Sequence, residues 1–190
     1  IVNREVVRVE VITLKHPSRR GYFLCDQISF LVREGEVLGI FGLMGAGRTE
    51  LLECLFGLHS KTSTGKVCIN GIEVLIDCPG DAISHGMALV PEDRKHDGLV
   101  LSMTVGENAS LASLHRSERF GLLNGRAERE YVEPFVERFR VKTPSLRERI
   151  RNLSGGNQQK VILAKWLATG PTVLMLDEPT RGIDVQAKNE

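Results

Sequence analysis

Three clusters in this 190-residue chain combine residue types and spacings suited to chemistry. The first is Gly42-Leu43-Met44-Gly45-Ala46-Gly47-Arg48-Thr49, which fits the phosphate-loop pattern with Arg48 where a lysine usually stands. Glycines there let backbone N–H groups curl around an anion, and a following helix adds its positive N-terminal end. Thr49 then offers a hydroxyl to Mg²⁺. The second cluster is Asp177-Glu178 at the end of an apolar run. Its spacing suits Asp177 to hold Mg²⁺, directly or through water, and Glu178 to activate an attacking water. Taken singly, the glycines also suit a plain turn before a core helix, and the carboxylates a solvated strand end. Their joint presence favours phosphate chemistry. The third cluster is Leu153-Ser154-Gly155-Gly156-Asn157-Gln158-Gln159-Lys160. Ser154 and the N–H groups of Gly155 and Gly156, at a helix N-terminus, make a second phosphate-binding surface. One nucleotide does not need two such cradles on one chain, so the second suits a nucleotide held by another domain.

Positioning these clusters requires particular elements. Residues 6–14 and 28–32 tend to alternate apolar and polar side chains, as half-buried strands do. Residues 36–41 form a continuous apolar run and predict a buried strand leading into the glycine loop. Leu51, Leu52, Leu55 and Phe56 then follow helical spacing up to Gly57. Residues 66–69 and 73–76 flank Asn70-Gly71, a pair that favours a tight hairpin and adds two strands to an antiparallel layer. A short helix is expected over residues 81–85, ending at Gly86, and a buried strand over residues 87–90. Residues 104–160 read as helical, with a capping box at Thr104 and Glu107 and a stripe of Val132, Phe135, Val136 and Phe139. We assign a helical subdomain to about residues 100–160 within one domain over residues 1–190. A helix ending near Thr169-Gly170 and a strand over residues 172–176 complete the order.

Composition narrows the function classes. A hydrophobic content of 42% supports a core without metals or disulfides. With 25 Lys and Arg against 24 Asp and Glu, no overall field draws the chain to nucleic acid, and no nucleic-acid partner is expected. Cys25, Cys54, Cys68 and Cys78 form no CxxC pair and read as thiols in a reducing compartment. No apolar stretch approaches the roughly 20 residues needed to cross a bilayer, so any membrane role falls to a partner. The chain opens on Ile1 without a methionine and stops at Glu190 just after a motif, so a piece of a longer protein, incomplete at its C-terminal end, is expected.

LSGG after a phosphate loop and before an Asp-Glu strand is the order found in ATP-binding-cassette domains, and the chain resembles them over nearly its whole length. More narrowly, GLMGAGRTE, VPEDRKHDGLV, LSGGNQQK and LDEPTRGIDV resemble the second cassette of ribose, xylose and arabinose importer ATPases. The resemblance implies an α/β P-loop NTPase fold of the cassette type: a mixed or parallel core sheet, an antiparallel β layer and a helical subdomain. It implies ATP and Mg²⁺ as cofactors and ATP hydrolysis coupled to sugar transport. The partners implied are transmembrane permease subunits, a facing nucleotide-binding domain and, indirectly, a periplasmic or extracellular sugar-binding protein. The location implied is peripheral, on the cytoplasmic face of the cell membrane. By the same resemblance Glu92 stands for the Q-loop glutamine that senses Mg²⁺ and contacts the permease, and joins Glu178 as a catalytic residue. Asp184 is the D-loop aspartate reaching the other cassette. Arg48 for lysine, Glu92 for glutamine and the lack of an adenine-stacking aromatic near Arg19 depart from the general pattern. The switch histidine falls beyond Glu190, so His16, His59, His85, His96 and His115 carry no catalytic assignment. Two other readings are a regulatory cassette that hydrolyses little and a soluble cassette acting on DNA or ribosomes; the latter would carry coiled-coil insertions or a basic stripe, and neither is present.

Overall fold

A computed structural model describes residues 4–119 and 121–180. The chain divides into two compact units, Ile1–Met87 and Ala88–Glu190.

The first unit is built on a four-stranded antiparallel sheet. Strands β1 (Glu5–Lys15) and β2 (Phe23–Arg33) pair with one another, and β1 also pairs with β3 (Ser63–Ile69). The alternation of β1 changes phase midway: Val7 and Val9 are buried, and so are Ile12 and Leu14. A bulge at Val11, φ 54°, absorbs the extra residue, so both apolar pairs reach the same face. A compensating bulge at Gln27, φ 53°, lies in β2. Both displaced amides find side-chain acceptors: Val11 N–H donates to Ser29 Oγ at 2.9 Å and Gln27 N–H to Thr13 Oγ1 at 3.1 Å.

Helix α1 (Arg48–Leu55) buries Leu51, Cys54 and Leu55. Strand β4 (Ile72–Val74) pairs with β3 through the Asn70-Gly71 turn, whose φ values of 53° and 81° suit a type I′ hairpin. The short helix α2 (Pro79–Ser84) follows, with proline at its start, where a missing N–H costs nothing.

In the second unit, β5 (Met87–Val90, begun by the last residue of the first unit) is buried throughout and lies beside β8 (Val173–Leu176). Between them run α3 (Val105–Ser110), the small hairpin β6 (Glu118–Arg119) and β7 (Leu122–Leu123), α4 (Gly125–Arg138) and α5 (Gly155–Leu167). The Thr104–Glu107 capping box forms reciprocally. Val132 and Val136 are buried on α4, with Val105, Ala109, Ile150, Val161 and Ile162 in the surrounding core. The β6–β7 hairpin was not anticipated in the helical region.

One expected element is absent. Residues 36–41 are not a strand, and Val37 and Phe41 are 95% and 93% exposed. An apolar run becomes a buried strand only where neighbours complete its hydrogen-bond ladder, and among the described residues no strand pairs with it. β8 is likewise buried on one side only, with Met175 inside and Leu174 and Leu176 outward.

Candidate functional site

The glycine loop joins residues 36–41 to α1. It turns through the Ala46 N–H to Leu43 carbonyl bond at 3.0 Å, and the Gly47 carbonyl accepts the first helical bond, from Leu51 at 2.9 Å. Gly47 is fixed twice over. Its φ is 79°, and a Cβ there would lie 2.0 Å from the Leu24 carbonyl oxygen, so the loop rests directly on the β2 backbone. The N–H groups of Arg48, Thr49 and Glu50 lie in the first turn of α1. The aliphatic stem of Arg48 lies back toward Gly42, 3.6 Å from where a Cβ would sit. Gly42, Leu43, Met44, Gly45 and Ala46 are exposed to solvent.

The carboxylates meet in the second unit. Asp177 directly follows β8 and donates its N–H to the Val90 carbonyl at 3.0 Å. The C-terminal ends of β5 and β8 therefore lie side by side, and Glu92, two residues past Val90, leaves from that same edge. Asp177 is buried, 7% exposed, whereas Glu178 is exposed with φ 41°. A positive φ is uncommon for a non-glycine residue, and Pro179 restricts its predecessor further. The assigned water-activating residue therefore sits on strained backbone, as residues at functional sites often do.

The third cluster forms as expected. Ser154 caps α5, which begins at Gly155 and Gly156. Sequence reasoning missed how the turn is held. Asn157 Nδ2 donates to Ser154 Oγ at 2.9 Å, and Asn157 Oδ1 accepts from the Lys142 N–H at 2.7 Å. Gln158 Nε2 bonds the carbonyls of Ile150 and Leu153, both at 3.2 Å, closing the turn before the helix. Also missed was Lys165, on the same helix. It is buried, 6% exposed, and its ammonium donates to the Gly98 carbonyl at 2.6 Å. Gly98 ends the turn after Glu92, Arg94–Gly98, which Asp93 organises by accepting the N–H groups of Lys95 and His96. Those bonds, His96 first, hold the Asp93 carboxyl below its ordinary pKa. The loop carrying Glu92 is thus tied to the helix carrying Ser154.

Among the described residues no group of three His, Cys, Asp or Glu side chains could hold a metal ion by itself. Mg²⁺ rarely asks for that; it takes one or two protein oxygens beside phosphates and water. The Thr49 hydroxyl in the first unit and the buried Asp177 carboxylate in the second are each an oxygen donor of the kind Mg²⁺ takes. Asp184 lies outside the described residues. No described helix is long and apolar enough to cross a membrane.

Known proteins place this arrangement in context. Residues 25–181 match the ABC transporter family. A ribose import ATP-binding protein of Rhodopirellula baltica is 70% identical over 188 residues, 99% of this chain and 37% of that protein. A xylose import ATP-binding protein of Thermoanaerobacter pseudethanolicus is 51% identical over 170 residues, 90% of this chain and 34% of its own length. The chain thus spans just over a third of these curated relatives. Among solved structures, a dimeric ATP-binding cassette in a post-hydrolysis state bound to ADP and Pi superposes with a TM-score of 0.77 at 23% identity, over 96% of this chain and 78% of that one. A nucleotide-free cassette gives 0.80 at 20%, over 97% and 73%. At those identities the likeness is one of fold, and it is the cassette type of α/β fold. With a family match over most of its residues and a 70% identical relative, the chain belongs to the ABC transporter family.

Proposed function

We propose that this chain is the ATP-binding and ATP-hydrolysing motor portion of a carbohydrate importer, coupling turnover to sugar passage through membrane partners. One observation carries the reading: an exposed Ser154 and two glycines open a 13-residue helix, in a chain that also holds a complete glycine loop. In this reading the amides of Gly42, Leu43, Met44, Gly45, Ala46, Gly47, Arg48 and Thr49 cradle the phosphates. Thr49 and Asp177 would each offer an oxygen to Mg²⁺ and Glu92 would sense it; when bound, the ion would neutralise charge on the phosphates. Glu178 takes a proton from the attacking water. Ser154, Gly155 and Gly156 complete the site of a facing cassette, and Asp184 reaches the same partner. The other partners are permease subunits and, through them, an external sugar-binding protein. The motor sits peripherally on the cytoplasmic face of the membrane.

Arg48 favours a second element of the reading, that this chain's own site turns over slowly. A planar guanidinium presents its charge to the β- and γ-phosphates differently from a compact ammonium. The intact Ser154-Gly155-Gly156 signature would then serve the more competent site opposite. ATP turnover in the reconstituted importer tests this. Ser154→Arg crowds phosphate contacts needed in the transition state and should nearly abolish hydrolysis, whereas Arg48→Ala should cost less. The reverse order of losses would reject the asymmetric arrangement. Glu178→Gln should bind ATP and fail to hydrolyse it at this site; wild-type turnover with the other site disabled would remove the assignment.

A further inference from the structure

Lys165, on the helix that Ser154 caps, is buried with no carboxylate to pair with it among the described residues. Its ammonium donates to the Gly98 carbonyl at 2.6 Å and stands 5.0 Å from the Trp166 ring centroid. A buried ammonium is costly to desolvate, and a methionine fills the same space without that cost. Packing of the helix therefore does not call for a lysine; its specific act is to hold Gly98. Ile162, three residues earlier on the same face of α5, closes on Gly98 as well: a Cβ there would lie 2.7 Å from Ile162 Cδ1. Gly98 has no positive φ, so the contact depends on its lack of a side chain and not on its dihedral.

The turn that Gly98 ends is held at both ends. The N–H groups of residues 95–98 all donate to Asp93, those of Lys95 and His96 to its carboxylate at 2.9 and 3.1 Å, those of Asp97 and Gly98 to its carbonyl at 2.9 and 3.2 Å. Asp93 directly follows Glu92. Past the turn, the buried Asn108 side chain accepts the Val100 N–H at 2.8 Å and donates to the carbonyls of Val100 and Thr104 at 3.1 and 2.9 Å, which fixes the exit to α3. A shift of α5 is thus passed through Gly98 to Asp93 and Glu92 instead of being absorbed by a loose loop.

We propose that Lys165 is a positioning residue whose bond to Gly98 makes the turn after Glu92 move with the signature helix, so that a nucleotide engaging Ser154 resets Glu92. Lys165 acts only through Gly98. Its part in turnover rests on the ATP-hydrolysing reading above, whereas the mechanical link does not. In that reading the amides of residues 42–49 bind Mg-ATP whether or not the link is intact, and Glu92 is placed for the hydrolytic step only when it is. Breaking the link therefore lowers kcat and spares KM.

The experiment measures amide hydrogen exchange and ATP turnover in the full protein that carries this chain. Without nucleotide, Lys165→Met should speed exchange at residues 95–98 about tenfold and leave the interior of α5 at wild-type rates. With Mg²⁺ and a non-hydrolysable ATP analogue, the wild type should slow exchange both at Asn157 and Gln158, whose amides donate to Ser154, and at residues 95–98. Lys165→Met should keep the first protection and lose the second. Its kcat should fall about tenfold with the KM for Mg-ATP unchanged. Gly98→Ala, which pushes against Ile162, should behave in the same way, and adding Ile162→Val, which removes the crowding methyl, should restore exchange and turnover together. That rescue keeps the proposal open to refutation even if Lys165→Met does not fold. Folded Lys165→Met that protects residues 95–98 as the wild type does overturns the proposal, and so does a loss of turnover that lies in KM, or a Gly98→Ala defect that Ile162→Val leaves in place. If the wild type binds no nucleotide, the ATP reading falls, and exchange in the nucleotide-free protein alone decides for or against the link.

Discussion

Glu178 combines an assigned chemical task with a backbone that resists its side chain. At φ 41° the strain belongs to the Cβ, so glycine relieves it and alanine does not. Glu178→Gly should be more stable than Glu178→Ala by about 1 kcal/mol, while both lose ATP turnover; denaturant unfolding of the two variants checks this. If alanine were the more stable of the pair, the strain would not exist. Gly47 and Gly45 make a second comparison. Both have φ near 78°, but a Cβ on Gly45 meets nothing within 4 Å, whereas on Gly47 it meets the Leu24 carbonyl at 2.0 Å. Gly45→Ala should cost about 1–2 kcal/mol, the ordinary left-handed penalty, and Gly47→Ala distinctly more, with loss of nucleotide binding. The glycine loop, the Asp-Glu pair and the signature serine were legible in the sequence because their demands are local: free N–H groups, small residues, carboxylates at a strand end. The dihedral of Glu178 was not, since no residue type announces it.

Helix α5 shows what sequence conceals at the scale of an element. Its start is readable from Ser154, Gly155 and Gly156, but the Lys165–Gly98 bond joins residues 67 apart and leaves no pattern. Burial lowers the Lys165 pKa from 10.5 to about 8. Between those values the unfolded chain holds a proton that the folded chain has released, so this group makes stability rise with pH from about 8 to 10.5, by at most about 3 kcal/mol. Below pH 8 and above 10.5 both states carry the same charge at this group, and its slope vanishes. Cysteines titrate in the same window, so the quantity to measure is the unfolding free energy of wild type minus that of Lys165→Met across it. A difference independent of pH would mean that Lys165 keeps an ordinary pKa. Residues 36–41 teach the opposite lesson. Their apolar run was plain to read, yet pairing, not composition, makes a strand, and no described strand pairs with them.

For the molecule as a whole, that run and the start of the glycine loop leave Val37, Leu38, Ile40, Phe41, Leu43 and Met44 exposed within eight consecutive residues. Exposed apolar surfaces promote self-association. The 190-residue chain on its own should therefore scatter light increasingly with concentration, and Val37→Lys with Phe41→Lys should suppress this; undiminished scattering would place the sticky surface elsewhere. Each unit nevertheless has its own core, one behind the β1–β2–β3 sheet and one among α3, α4 and α5. The two offer unequal optical handles. The chain has a single tryptophan, Trp166, and it stands in the second unit on the signature helix, with the Lys165 ammonium 5.0 Å from its ring centroid. Intrinsic fluorescence is thus a label already in place on α5: its emission should change colour as the neighbouring cation is discharged near pH 8.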